Sequence, residues 1–386
     1  MAADPTSSPG SVAFERADLD RLFGLLHERG YTVVGPTLRQ GAVVLDEIED
    51  ASRLPAGWTD DQEAGQYRLR RSGSPALFDG RSGPASAKRA LLPPTATLLQ
   101  ARRAGATLEL LEGDPPPPKL ACLGVRACDL AAIEIQDRVL LGGSYQDPIY
   151  RARRENLLVI AVQCASAGGT CFCASMGTGP EVRSGHDLAL AEIVADGRHT
   201  FVASAGTAHG RELLDGMRAR PATAAEQEAV RAAVARCRAS MGRTLDTDDL
   251  PGLLARTLEH PNWDAVALRC LACGNCVLVC PTCFCVNTED VTDVPTGLTR
   301  RVRRWDTCYS LDYSYIHGGN VRTSIRARYR QWLTHKLGTW HAQFGTTGCV
   351  GCGRCITWCP AAIDITEEAA KLRQPPARKE ASRGNA

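Results

Sequence analysis

Cys270-Leu271-Ala272-Cys273-Gly274-Asn275-Cys276-Val277-Leu278-Val279-Cys280-Pro281 and Cys349-Val350-Gly351-Cys352-Gly353-Arg354-Cys355-Ile356-Thr357-Trp358-Cys359-Pro360 decide how this chain is read. Both follow C-x2-C-x2-C-x3-C-P. Three thiolates within seven residues can wrap one face of a metal–sulfur core, because Gly274, Gly351 and Gly353 permit tight local turns. Amides of such a wrap point at the ligand and offset its negative charge. The fourth cysteine opens the next segment, and the proline turns the chain away.

This is the spacing of ferredoxin-type runs, in which the fourth cysteine serves the other cluster. The expectation is therefore two crossed 4Fe-4S clusters. One takes Cys270, Cys273, Cys276 and Cys359; the second takes Cys349, Cys352, Cys355 and Cys280. Zinc is the alternative, but zinc sites normally pair two C-x2-C hooks across a loop.

Working outward, the chain has 386 residues and 17 cysteines. An odd count excludes a fully paired disulfide framework. The first residues carry no apolar stretch of the secretory kind. The longest apolar run, Leu157 to Val162, is too short to span a bilayer. A reducing, cytoplasmic setting without membrane insertion is expected, where dense cysteine means metal or redox chemistry. A net charge of +2 gives no bulk argument for binding nucleic acid.

The fold expected is α+β: a mixed α/β N-terminal domain, then a mainly helical ferredoxin-like dicluster domain. Residues 1–12 and 371–386 are polar and expected to be disordered. The α/β domain should span 13–208 and the dicluster domain 209–370. In the first, Asp18 to Arg29 reads as an amphipathic helix stopped by Gly30. Thr32 to Val34, Ala42 to Ile48 and Gln66 to Arg70 read as strands. Leu120 to Val125 and Leu157 to Val162 read as buried strands. Leu188 to Ala203 reads as a hairpin turning at Asp196-Gly197. In the second, Thr223 and Glu226 form a capping box, and Val230, Val234, Cys237 and Met241 make a buried stripe. The insert 282–348 between the two runs is basic, with Arg300, Arg301, Arg303, Arg304, Arg322, Arg326, Arg328, Arg330 and Lys336. It reads as a solvated helix face, or as a cap or acidic-partner surface near the clusters.

Nine cysteines remain. Cys128 and Cys164 each follow a buried strand. Adjacent strands would place both at one sheet edge, and the Gly168-Gly169 loop could bring Cys171 or Cys173 to meet them. Cys128, Cys164, Cys171 and Cys173 are thus candidate ligands of a third cluster, with Asp129 weighed as a non-cysteine ligand; buried thiols are the alternative. Cys283, Cys285 and Cys308 lie beside the first run and read as inert thiols. Cys237 and Cys122 read as core. Thr170-Cys171-Phe172-Cys173 is echoed by Thr282-Cys283-Phe284-Cys285. No G-x-G-x-x-G joins a strand to a helix, so neither FAD nor NAD is expected on this chain.

Several segments together resemble the iron–sulfur beta subunit of soluble sulfhydrogenases, the NAD(P)-linked nickel–iron hydrogenases, and the related iron–sulfur subunit of anaerobic sulfite reductase. They are Gly124-Val125-Arg126-Ala127-Cys128-Asp129, Cys164 through Cys173, Gly179-Pro180, Asp187-Leu188, Cys280 through Cys285, Trp305-Asp306-Thr307-Cys308, His335-Lys336 and Gly351 through Cys355. The resemblance runs from about Gly30 to Glu368. It implies an electron relay between a catalytic module and a separate flavin subunit that handles NAD(P). The implied partners are that flavin subunit with the hydrogenase small and large subunits, or a sirohaem subunit in the sulfite reductase setting. No general acid or base is then needed here. Two other readings are turnover by the first-domain cysteines themselves, on sulfur or a disulfide, and an iron–sulfur redox sensor.

Overall fold

The computed structural model describes residues 10–375 apart from Ser82 and Glu112. Its largest sheet has eight strands. Their order is Arg220–Pro221, Val12–Glu15, Arg198–Ala205, Leu188–Ala195, Leu157–Val162, Leu120–Val125, Thr32–Arg39, Ala42–Glu47. The middle is parallel: Thr32–Arg39 beside Leu120–Val125, then Leu157–Val162, then Leu188–Ala195.

Strands buried on both faces read as continuous apolar runs, and Leu157–Val162 is buried at all six positions. Its side chains alternate. Leu158, Ile160 and Val162 join one core with Phe14, Leu22, Phe23 and Phe201. Leu157, Val159 and Ala161 join another with Leu130, Ile133 and Tyr150. The Leu188–Ala195/Arg198–Ala205 hairpin turns as expected, with Asp196 and Gly197 both at positive φ (50° and 72°). The helix Leu19–Glu28 ends before Gly30, at φ 77°.

A third core surrounds the ferredoxin-type runs. It contains Trp263, Tyr309, Tyr329, Trp332 and Leu333. Phe172, from the first half of the chain, belongs to it and is wholly buried.

The structure differs from expectation in three places. Strand Arg220–Pro221 pairs with Val12–Glu15, and helix Ala224–Ala239 packs on the hairpin strands. The first unit therefore continues past 208. Second, the first part of the basic insert is a hairpin, whereas Arg326, Arg328 and Arg330 do lie on a helix, Ile325–Thr334. Val286–Asp293 pairs with Leu298–Trp305, which pairs with Thr95–Ala104 and so joins the two halves of the chain. Third, residues 10–12 are described, and Val12 opens a strand. Helix Ile365–Arg373 likewise runs into the tail expected as disordered from 371; residues 1–9 and 376–386 lie outside the described residues. Among the described residues, no helix is long and apolar enough to cross a membrane.

Candidate metal centres

The first cysteine set is assembled at the end of helix Asn262–Ala267, where the Cys270 amide donates to Val266 O at 2.9 Å. Gly274 sits at φ 73°, and a Cβ there would come within 2.6 Å of Thr307 Cγ2. Only glycine turns the chain here without strain or clash. Cys270, Cys273, Cys276 and Cys359 line one cavity, walled by Tyr309, Tyr329 and Trp332. Cys359 comes from the second run, as does Cys355, which lines the same cavity. Asn275 Nδ2 fastens it by donating to Trp358 O at 2.5 Å. Burial pushes the Cys270 and Cys276 thiols up, so binding metal here must release protons.

The second set is Cys349, Cys352, Cys355 and Cys280. Burial raises the Cys355 thiol, and the charges of Cys349, Cys352 and Cys280 raise it further. Those four thiols therefore share one neighbourhood. Matching amides point at matching sulfurs in the two runs: Ala272 N to Cys270 Sγ at 3.4 Å, Gly351 N to Cys349 Sγ at 3.5 Å.

Positive charge is buried beside this set. Lys336, 2% exposed, donates from Nζ to Cys280 Sγ at 3.1 Å and Gly348 O at 3.0 Å. Cys283 and Lys336 together hold the Cys280 thiol well below its ordinary value. Lys88, also buried, donates to Leu278 O at 3.1 Å and lies 4.1 Å from the Trp305 ring. Among the described residues, neither lysine has a carboxylate in ion-pair range. Buried ammonium groups without carboxylates suit an anionic cofactor at the thiols, since an unpaired buried charge is costly. Among the described residues, no three His, Cys, Asp or Glu side chains close on a point as they do around a single metal ion. The thiol-lined cavity with Lys336 buried beside the second set suits a sulfur-rich, anionic core.

Cys128 and Cys164 lie just beyond the ends of neighbouring parallel strands. With Cys171 and Cys173 they line a single cavity. The loop reaches there because Gly168 and Gly169 lie against Gln62; a Cβ at Gly169 would fall 2.1 Å from Gln62 O. Two more cysteines line the same cavity, Cys352 and Cys237. Cys237 is buried as expected of core, but at this cavity. Its helical stripe gives no hint of that, because the neighbours that make it a cluster lie far off in sequence. Asp129 is not turned to the cavity as a ligand: both its oxygens accept from Arg354. Burial pushes Cys171 up to about 11 and Cys237 to about 12.

The two Thr-Cys-Phe-Cys segments brace the second set from two sides. Phe172 N donates to Gly351 O at 2.8 Å, and Cβ atoms at Gly351 and Gly353 would strike the backbone of 170–173 at 2.3–2.7 Å. Thr282 Oγ1 donates to Gly348 O at 2.6 Å and lies 3.1 Å from Cys280 Sγ. Cys285 is held down at about 6 by Cys308. Cys122 is buried in its strand, as expected. The basic insert is largely neutralised in place: Arg301 pairs with Asp290, Arg303 with Asp147, Arg304 with Glu289, and Arg326 and Arg330 with Glu259.

Residues 269–363 match the family model of the 4Fe-4S dicluster domain. Over 300 residues the chain is 30% identical to sulfhydrogenase 2 subunit beta of Pyrococcus furiosus, covering 74% of this chain and 84% of that protein. No solved structure matches at comparable significance.

Proposed function

Because the chain belongs to the family of sulfhydrogenase beta subunits and carries a 4Fe-4S dicluster domain, we propose that it relays electrons between a hydrogenase module and a flavin subunit that handles NAD(P). Cys270, Cys273, Cys276 and Cys359 hold one 4Fe-4S cluster, and Cys349, Cys352, Cys355 and Cys280 the second. Each supplies one-electron uptake and release at a potential set by its surroundings.

One observation carries this reading. Cys355, a member of the second set, also lines the cavity of the first. The two sets therefore stand back to back, as a relay requires. The chain's own residues supply burial, amide and lysine hydrogen bonds, and at one end an opening to the surface: Cys273 is exposed, with Leu268 and Leu271 exposed beside it. FAD and NAD belong to the partner.

The test mixes the chemically reduced chain with its flavin-binding partner and follows flavin reduction anaerobically. Rapid transfer that Cys276→Ser abolishes supports the relay. Turnover of sulfur or disulfide by the isolated chain, or transfer unaffected by Cys276→Ser, contradicts it. Co-purification with nickel–iron subunits is expected; a sirohaem subunit in their place would move the relay to sulfite reduction.

A further inference from the structure

We infer that a third iron–sulfur cluster is held by Cys164, Cys171, Cys173 and Cys237, with Cys128 outside the ligand set, and that this cluster extends the relay on the far side of the second. The inference rests on the relay reading and adds a site to it.

The cavity brings distant stretches of chain together, among them the residues after strand Leu157–Val162, the loop carrying Cys171 and Cys173, helix Ala224–Ala239 and the second ferredoxin-type run. Cys164, Cys171, Cys173 and Cys237 all line it. Cys237 feels Cys164 and Cys171, and Cys173 feels Cys171, Cys164 and Cys237. Cys128 lines it too, but on the side of Cys352. It feels Asp129, Cys173 and Cys352, and packs with Cys352 against Ala132, Ile135, Trp340 and Val350. It is part of the wall between this cavity and the second set.

The charge around the cavity fits an anionic cluster. Arg81 and Arg126 line it, and among the described residues neither guanidinium has a carboxylate in ion-pair range. Arg81 donates to Thr59 Oγ1 at 2.9 Å and Ala167 O at 2.8 Å, while its Nε is buried without a partner. Arg126 donates to Phe78 O at 2.6 Å and Gly80 O at 2.8 Å. Neutral oxygens orient both guanidinium groups; among the described residues the one buried carboxylate close enough to act on both, Asp60, accepts from the Arg81 amide at 2.6 Å, so two cations face one anion. Four thiolates around a 4Fe-4S core leave net negative charge for them to offset. Cys352, a ligand in the second set, lines this cavity as Cys355 lines the first. The second set is therefore the middle of three.

The experiment measures iron and acid-labile sulfide, with EPR of the reduced protein, on anaerobically purified full-length chain and on Cys237→Ser, Cys171→Ser and Cys128→Ser. The expected wild-type content is about twelve irons, four per cluster. Cys237→Ser and Cys171→Ser should each fall to about eight and keep the signals of the two ferredoxin-type clusters, while Cys128→Ser stays at about twelve. Full iron in Cys237→Ser, or loss of about four irons in Cys128→Ser, overturns the ligand set. About eight irons in wild type overturns the third cluster while leaving the two-cluster relay standing. Should Cys237→Ser not fold, the Cys171→Ser and Cys128→Ser arms decide the matter.

Discussion

Arg354 and Asp129 form a bidentate ion pair in the interior, Nη1 to Oδ1 at 2.7 Å and Nη2 to Oδ2 at 2.9 Å, with side chains 5% and 3% exposed. Arg354 sits between Cys352 and Cys355, and Asp129 follows Cys128. The pair fixes the second ferredoxin-type run to the helix that leaves the central sheet. Arg354 Nε also donates to Gly83 O at 3.2 Å.

Removing one partner leaves an uncompensated buried charge. Asp129→Ala should cost about 3–5 kcal/mol, read as a lower denaturation midpoint with loss of iron from the second set. The double variant Asp129→Ala/Arg354→Met should recover much of that loss. A cost within about 0.5 kcal/mol, as for an ordinary surface substitution, would contradict the clamp.

Lys336 donates to Cys280 Sγ, and hydrogen bonds to cluster sulfurs raise the reduction potential. A charge-assisted bond of this kind is worth about 1.5–3 kcal/mol, so Lys336→Met should lower one cluster potential on the order of 50 mV or more. An EPR-monitored redox titration reads it. The cluster served by Cys270 should move much less. An unchanged pair of potentials would remove Lys336 from the tuning role.

Gly351 and Gly353 are in the left-handed region, at φ 64° and 74°, and press on the backbone of 170–173. Gly351→Ala adds a clash to the conformational cost of about 1–3 kcal/mol. It should therefore impair iron loading at the second set and loosen the Thr170–Cys173 loop. Gly197 has a similar φ of 72° but nothing within 4 Å. Gly197→Ala is the control and should keep full iron content. Equal behaviour of the two variants would show that backbone conformation alone matters.

Helix Ala224–Ala239, which carries Cys237, is started by the Thr223/Glu226 capping box. Thr223→Ala should cost about 1 kcal/mol and show as a lower melting temperature. Arg220, with the Thr223 cap, holds Glu226 down from its ordinary 4.5 to about 2. The folded value lies below the ordinary one, so ionisation stabilises the fold. That stability is fully present above about pH 4.5 and is lost as pH falls toward 2. Glu226→Gln should flatten the stability–pH curve in that window; an unchanged slope would contradict the assignment.

Local patterns made much of this molecule legible from sequence. The dicluster domain was readable because the spacing of the two ferredoxin-type runs alone defines their turns. Leu157 to Val162 was readable as a buried strand because both faces are apolar, and Thr223 and Glu226 marked a helix start. What escaped is set at long range. Cys237 joins Cys164 and Cys171 only through tertiary packing. Asp129 could not be given to Arg354, which is 225 residues away. The basic insert read as a helix face because its arginines are dense. Arg326, Arg328 and Arg330 do lie on a helix, but Arg300, Arg301, Arg303 and Arg304 lie on a strand paired with Thr95–Ala104, a stretch whose Leu98 and Leu99 are both exposed and carry no clear alternation.

The contiguity of the two ferredoxin-type sets, through Cys355, is the centre of this account, and EPR of the fully reduced chain tests it most directly. Two clusters held back to back must interact magnetically. The prediction is a broadened, split spectrum from which the coupling between the two ferredoxin-type clusters disappears in Cys276→Ser, where the first set is broken. A wild-type spectrum that is a plain sum of isolated clusters, or a chain that holds zinc without labile sulfide, would contradict it.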